Sequence, residues 1–372
     1  MADRPVVAAV GAGRMGRGLG HVFAYSGHEV RLLDVKERTD DEYAATEAAA
    51  LADIRSTVSL MASLGRIVPA DVAIIMNRVS VYRLEEAGEA LKNVPIIFEG
   101  VPEVKEMKER AFDITCRHAG ADAIIASTTS TMLVNELAEF VTAPERFLNA
   151  HWLNPAFLIP LVELSIGEKT SSDVVDRLKA ILETVGKVPV VLQASPGFAV
   201  PRVQSLAMSE AARAVEEGVA PAEELDKALR VGFGLRFAII GLIEFIDWGG
   251  NDILYYAGNY LRETFDSDRF EVPDIAERYM REGRNGLRER RGFYDYRDID
   301  VDEYQRETLR KLVDLIDHLG LLALHRLLLS RTVSIVDTPL HCGFFVLELC
   351  VQLLDLSGTL HIMIRPLSKQ VG

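Results

Sequence analysis

The chain has 372 residues, enough for two or three domains and for a core that needs no covalent staple. Hydrophobic residues at 49% and charged residues at 26% exclude a disordered chain, and 41 basic against 55 acidic side chains leave a net charge of −14, which opposes binding to nucleic acid or anionic lipid. Three cysteines (Cys116, Cys342, Cys350) make no disulfide framework, no uncharged apolar run reaches membrane length, and the opening residues lack a basic-then-apolar leader, so a cytoplasmic protein off the membrane is expected.

The chain opens on its strongest signal. Val6 to Val10 is an apolar run fit for a buried strand, and it leads directly into Gly11-Ala12-Gly13-Arg14-Met15-Gly16. A helix follows and ends near Gly27, then a second apolar run, Val30 to Leu33, ends on Asp34. In a strand–turn–helix of this kind Gly11 permits the tight turn, Gly13 lets the backbone approach a pyrophosphate, and Gly16 allows close helix–strand packing. The helix N-terminus, opening at Arg14 and Met15, offers unpaired N–H groups to phosphates. Asp34 can accept hydrogen bonds from an adenosine ribose diol and would repel a 2′-phosphate, which favours NAD over NADP.

Residues 42–66 read as helix, with strands expected at Ile96–Phe98 and Ala123–Ala126. Strands alternating with helices predict an α/β fold, a Rossmann-type doubly wound and mostly parallel sheet. Segment 146–164 carries two apolar stretches around Asn154-Pro155, and 187–192 reads as another strand. Beyond Pro196-Gly197-Phe198 the pattern turns helical over 199–217, 222–231, 238–265 and 303–319. The expected division is a dinucleotide-binding domain over 1–195, an all-helical domain over 196–319, and an apolar extension over 320–372. That extension has 14 leucines and seven charged residues, so it should pack on the helical domain, join a subunit interface, or expose an apolar patch and aggregate. Its histidines and cysteines match no standard ligand spacing, and no metal site is expected.

By residue type alone, chemistry gathers in Ser127-Thr128-Thr129-Ser130-Thr131, which follows a strand, and in His151, Asn154 and Glu163. A histidine oriented by a carboxylate can take a proton from an alcohol near neutral pH, and beside NAD that makes hydride removal from the same carbon feasible. By residue type alone, a histidine near an apolar strand is more often a satisfied core residue.

These motifs, in this order, resemble the 3-hydroxyacyl-CoA dehydrogenase family over roughly residues 5–300. The resemblance rests on Phe98-Glu99-Gly100-Val101-Pro102-Glu103, Ala126 to Thr131, His151-Trp152-Leu153-Asn154-Pro155, Pro160 to Glu163, Pro196-Gly197-Phe198 and Gly292 to Tyr296. It implies a general base at His151, an orienting carboxylate at Glu163, a hydrogen bond from Ser130 to the reacting oxygen, and a positioning role for Asn154. It also implies NAD contacts at Gly11, Gly13, Arg14, Met15, Gly16, Asp34, Glu99 and Ser127, oxidation of a 3-hydroxyacyl-CoA such as 3-hydroxybutyryl-CoA, and a homodimer formed through the helical domain.

The sequence departs from the family pattern in four places. Thr128 stands where the family usually has asparagine. Pro201 replaces an asparagine that approaches substrate, and proline cannot donate a hydrogen bond. From Thr39 to Ile75 there is no lysine, although the family often gathers lysines there for CoA phosphates. Gly232 to Ala238 is similar to the branch containing L-gulonate 3-dehydrogenase (lambda-crystallin) and carnitine dehydrogenase, which implies that Arg236 faces substrate. A guanidinium suits a free carboxylate; alternatively Arg236 is a surface residue stacked on Phe237. The alternatives to a CoA substrate are therefore a free 3-hydroxy acid, or a crystallin-like NAD-binding protein without turnover.

Overall fold

The computed structural model describes residues 4–322. The chain forms two compact units, one running to Leu225 and the other starting at Asp226. The first follows the order β1 (Val7–Val10), α1 (Arg14–Tyr25), β2 (Val30–Leu33), α2 (Asp40–Ser63), α3 (Asp71–Met76), β3 (Val79–Tyr82), α4 (Ala87–Ala90) and β4 (Ile96–Glu99). It continues through α5 (Lys105–His118), β5 (Ile124–Ser127), α6 (Val134–Ala138), β6 (Phe147–Trp152), β7 (Leu161–Ile166), α7 (Ser172–Thr184), β8 (Val188–Gln193) and α8 (Val200–Glu216).

The eight strands form one sheet in the order β3-β2-β1-β4-β5-β6-β7-β8, parallel except where β7 runs antiparallel to β6. This is the expected Rossmann-type architecture. Strands β1, β4 and β5 are buried along their whole length, because helices cover both faces and every alternate side chain meets a core. Val7, Ala9, Ile96, Phe98 and Trp152 pack on one side with α1 residues such as Leu19 and Phe23. Ala8, Val10, Leu33 and Ile97 pack on the other with Ala111 and Ile114 of α5.

The 146–164 segment is an antiparallel hairpin, β6 and β7, and not merely two apolar stretches. Strand β3 and helices α5 and α7 carry no distinct motif. Pro201 falls in the first turn of α8, where a backbone N–H has no helical partner to lose.

The second unit is helical, with α9 (Ala222–Ala228) leading into it, followed by α10 (Leu235–Phe237), α11 (Leu242–Gly249), α12 (Asn251–Phe265), α13 (Asp274–Arg281) and α14 (Val301–His318). The helix expected over 238–265 is broken. Gly250 takes a φ of +104° between α11 and α12, a conformation closed to most side chains. Buried Asp247 accepts from the N–H groups of Phe293 (2.9 Å) and Tyr294 (2.8 Å) and from the Tyr296 hydroxyl (3.2 Å), which explains how the Gly292–Tyr296 motif is held. Among the described residues no helix is long and apolar enough to cross a membrane, and no three His, Cys, Asp or Glu side chains gather as a metal site. The expectations for 323–372, including His325, His341, His361, Cys342 and Cys350, lie outside the described residues.

Candidate active site

Register brings the motifs to one edge. Val10 of β1 lies beside Leu33 of β2 and Glu99 of β4, and Glu99 lies beside Ser127 of β5. Ser127 in turn pairs with Asn149 of β6, two residues before His151. The glycine turn, Asp34, the Glu99–Glu103 loop, the Ser127–Thr131 loop and His151 therefore all sit at the carboxyl end of the parallel strands, where β1 marks the switch in strand order and ligands bind.

A cleft of about 420 Å³ opens there, lined by Gly11, Ala12, Gly13, Asp34, Lys36, Arg38 and Gly100 to Pro102 among others. Its geometry fits a dinucleotide. A Cβ on Gly13 would meet nothing within 4 Å, so this turn leaves open space for a ligand. A Cβ on Gly16 would stand 2.0 Å from the Gly11 carbonyl oxygen, so the helix can start this close to the strand only at glycine. The first turn of α1 has no acidic residue and no side-chain cap, which leaves its N–H groups and positive dipole end for phosphate. Asp34 is buried at the tip of β2, ion-paired with Arg38, and accepts from the Lys36 N–H at 3.3 Å. Arg38 gave no signal in the sequence; only its position four residues past Asp34 could have suggested the pair.

Glu99 and Ser127 are fully buried. The Glu99 carboxylate takes the Lys108 ammonium at 2.9 and 3.1 Å, the Val101 N–H at 2.8 Å and the Ser127 hydroxyl at 2.6 Å. The two residues expected at the cofactor are thus joined to each other beneath the cleft. Sequence reasoning missed Glu103, the second acid of the same motif. Its carboxylate accepts from the Thr129 hydroxyl at 2.8 Å and from the Ser130 N–H, and so clamps the loop that presents the exposed Ser130.

At the other end of the edge, His151 and Glu163 are directly opposite across β6 and β7. His151 Nδ1 lies 2.8 Å from Glu163 Oε2 in buried surroundings. A carboxylate can only accept, so Nδ1 carries the proton and Nε2 is left with its lone pair. Glu163 Oε1 accepts from the N–H groups of Ala199 (3.0 Å) and Val200 (2.8 Å) at the start of α8, donors that fix the carboxylate in place. The Phe198 ring stacks on the imidazole with centroids 5.0 Å apart and planes 18° from parallel. Phe198 has a φ of +50°, a strained conformation for a bulky residue. The Pro-Gly-Phe motif thus does more than mark a boundary; it delivers two amides and a ring to the His–Glu pair. Asn154 is exposed three residues after His151. Arg236 is in the second unit, exposed, with Nε donating to the Gly232 carbonyl at 2.6 Å and its guanidinium 5.2 Å from the Phe245 ring centroid.

Comparison with known proteins gives the family of the chain. Residues 6–195 match the 3-hydroxyacyl-CoA dehydrogenase NAD binding domain, and 197–296 match the C-terminal domain of the same enzymes. The chain belongs to the 3-hydroxyacyl-CoA dehydrogenase family. It is an oxidoreductase with a Rossmann domain whose cofactor is NAD. It is 29% identical over 290 residues to 3-hydroxybutyryl-CoA dehydrogenase of Clostridioides difficile, covering 78% of this chain and 99% of that one. It is also 29% identical over 309 residues to 5-formyl-3-hydroxy-2-methylpyridine 4-carboxylate 5-dehydrogenase of Mesorhizobium japonicum, covering 82% and 96%. Among solved structures, a 3-hydroxyacyl-CoA dehydrogenase of Archaeoglobus fulgidus superposes with a TM-score of 0.66 at 30% identity, covering 85% of this chain and 99% of that one.

Proposed function

We propose that this protein oxidises the C3 hydroxyl of an L-3-hydroxyacyl-CoA, such as 3-hydroxybutyryl-CoA, to the 3-keto product. The observation that carries the reading is the buried 2.8 Å contact between His151 Nδ1 and Glu163, which leaves Nε2 to accept a proton at the same sheet edge as the glycine turn. The C3–H leaves as hydride while the hydroxyl proton moves to His151 Nε2, and the electron pair of the O–H bond forms the carbonyl. Bound NAD supplies the hydride acceptor. Glu163 holds the ring and stabilises the imidazolium formed, Ser130 donates to the developing carbonyl oxygen, and Asn154 orients the substrate. Gly11, Gly13, Gly16, Asp34 and the start of α1 at Arg14 and Met15 hold the dinucleotide. Glu99 and Ser127 contribute by fixing the loops around it.

A second reading is a free hydroxy acid, L-gulonate- or carnitine-like. It is favoured by the lysine-free 39–75 stretch, by exposed Arg236, and by similarity to a dehydrogenase named for a pyridine carboxylate. NADH release with 3-hydroxybutyryl-CoA, L-gulonate and carnitine separates the two. The first substrate should give a kcat/KM at least tenfold above the others. The reverse order would establish the second reading, and silence on all three would overturn both and leave an NAD-binding protein without turnover. The assembly we expect is a homodimer through the helical unit, where Leu242 and Ile243 are exposed.

A further inference from the structure

Two lysines are buried in the first unit, and their charges are met in opposite ways. Lys108 lies between two carboxylates, 2.9 Å from Glu99 and 3.7 Å from Glu103. Lys187, just before β8 and 6% exposed, donates to the carbonyl oxygens of Ala156 at 2.6 Å and Ile159 at 2.8 Å. Its ammonium is 5.6 Å from the Trp152 ring centroid. Burial lowers the Lys187 pKa from its ordinary value. A methionine would fill the same space without desolvating a charge, so the lysine is explained by the carbonyls it holds.

Those carbonyls belong to the connection between β6 and β7, residues 153–160. Inside it the Pro155 carbonyl accepts from the N–H groups of Leu158 and Ile159, both at 3.0 Å, and the Pro160 carbonyl accepts from the Val188 N–H at 2.9 Å. The ammonium supplies donors for the carbonyls of buried Ala156 and half-buried Ile159 at this turn. The connection starts with Leu153 and Asn154. His151, by contrast, is fixed by strand pairing, Glu163 and Phe198. The hairpin therefore has two separate anchors, one under its catalytic pair and one under its tip.

We propose that Lys187 is a positioning residue for the substrate side of the site, its ammonium pinning the turn at 155–160 and thereby setting Asn154 against the bound substrate. The proposal rests on the reading of Asn154 as substrate-facing. It is tested with Lys187→Met in the full chain, using NAD affinity, steady-state kinetics against pH, and hydrogen exchange of the 153–160 backbone. The expected result is NAD affinity within twofold of wild type, at least tenfold faster exchange at Leu158 and Ile159, and a kcat/KM at least tenfold lower. The acidic limb of the pH profile should stay in place, because the His151–Glu163 pair is untouched. Lys187→Arg, which keeps charge and donors, should recover part of the loss. If Lys187→Met does not fold, Lys187→Gln, with one amide donor group, carries the same readouts. Unchanged exchange, unchanged kinetics in folded protein, or an acidic limb that moves would overturn the proposal. A wild type silent on every substrate would overturn the functional reading and the role of Asn154 with it, whereas exchange that stays at wild-type rates overturns the anchoring alone.

Discussion

The two ends of the sheet edge are built from different materials. The cofactor end, at the turn after β1, is mostly backbone: Gly11 at a φ of +113°, a Gly16 that admits no Cβ, and a helix start without side-chain caps. The hairpin end is mostly side chains held by other side chains and by amides: His151 by Glu163, Glu163 by Ala199 and Val200, the imidazole by Phe198. Sterics make Gly11 and Gly16 of the turn after β1 intolerant of added atoms. The hairpin end should tolerate changes in size better than changes in charge or donor pattern.

The largest expected effect on stability is at Gly16. In Gly16→Ala the new methyl must displace the Gly11 backbone oxygen, 2.0 Å away. We expect a loss of about 3 kcal/mol or more in urea unfolding, and wild-type stability would break the account of the cofactor end. Next is Glu163→Gln, which keeps shape and one acceptor but removes the charge. Turnover should fall about 100-fold, the range ascribed to acid–base groups, with NAD affinity kept, and an equal loss of NAD affinity would show that the two ends are not separable.

The smallest effect sharpens the seam between the regions. His21 of α1 is buried 5.0 Å (ring centroids) from Phe157 of the β6–β7 connection, and burial, with a smaller contribution from Lys187, lowers its pKa to about 4. The folded value lies below the unfolded one, so the unfolded chain takes the proton first. Stability is whole above pH 6.5 and falls as pH drops toward 4. Urea midpoints across that range should show a slope in wild type that His21→Phe flattens, and equal slopes would mean that another group titrates.

This contrast also explains what the sequence made legible. Backbone requirements leave glycines at fixed spacing, so the turn at Gly11–Gly16 and the acid at Asp34 could be read in place. His151 and Glu163 could be seen as a candidate pair, but the antiparallel register that sets them opposite is a tertiary fact. The same holds for the amides of Ala199 and Val200, since any residue supplies an N–H. Glu103 and Lys187 were illegible for another reason: their partners are main-chain groups or residues far along the chain, and no local pattern encodes them. The break at Gly250 was missed because helix-forming runs flank it, although Gly249-Gly250-Asn251 is itself a turn signal.

The central claim is that His151 is the proton acceptor at a site whose cofactor end stands independently. His151→Gln, assayed for NAD affinity by titration and for turnover of 3-hydroxybutyryl-CoA by NADH release, tests it most directly. The account predicts NAD affinity within twofold of wild type and turnover lowered about 1,000-fold, within the range ascribed to general bases. Turnover near the wild-type rate would contradict it.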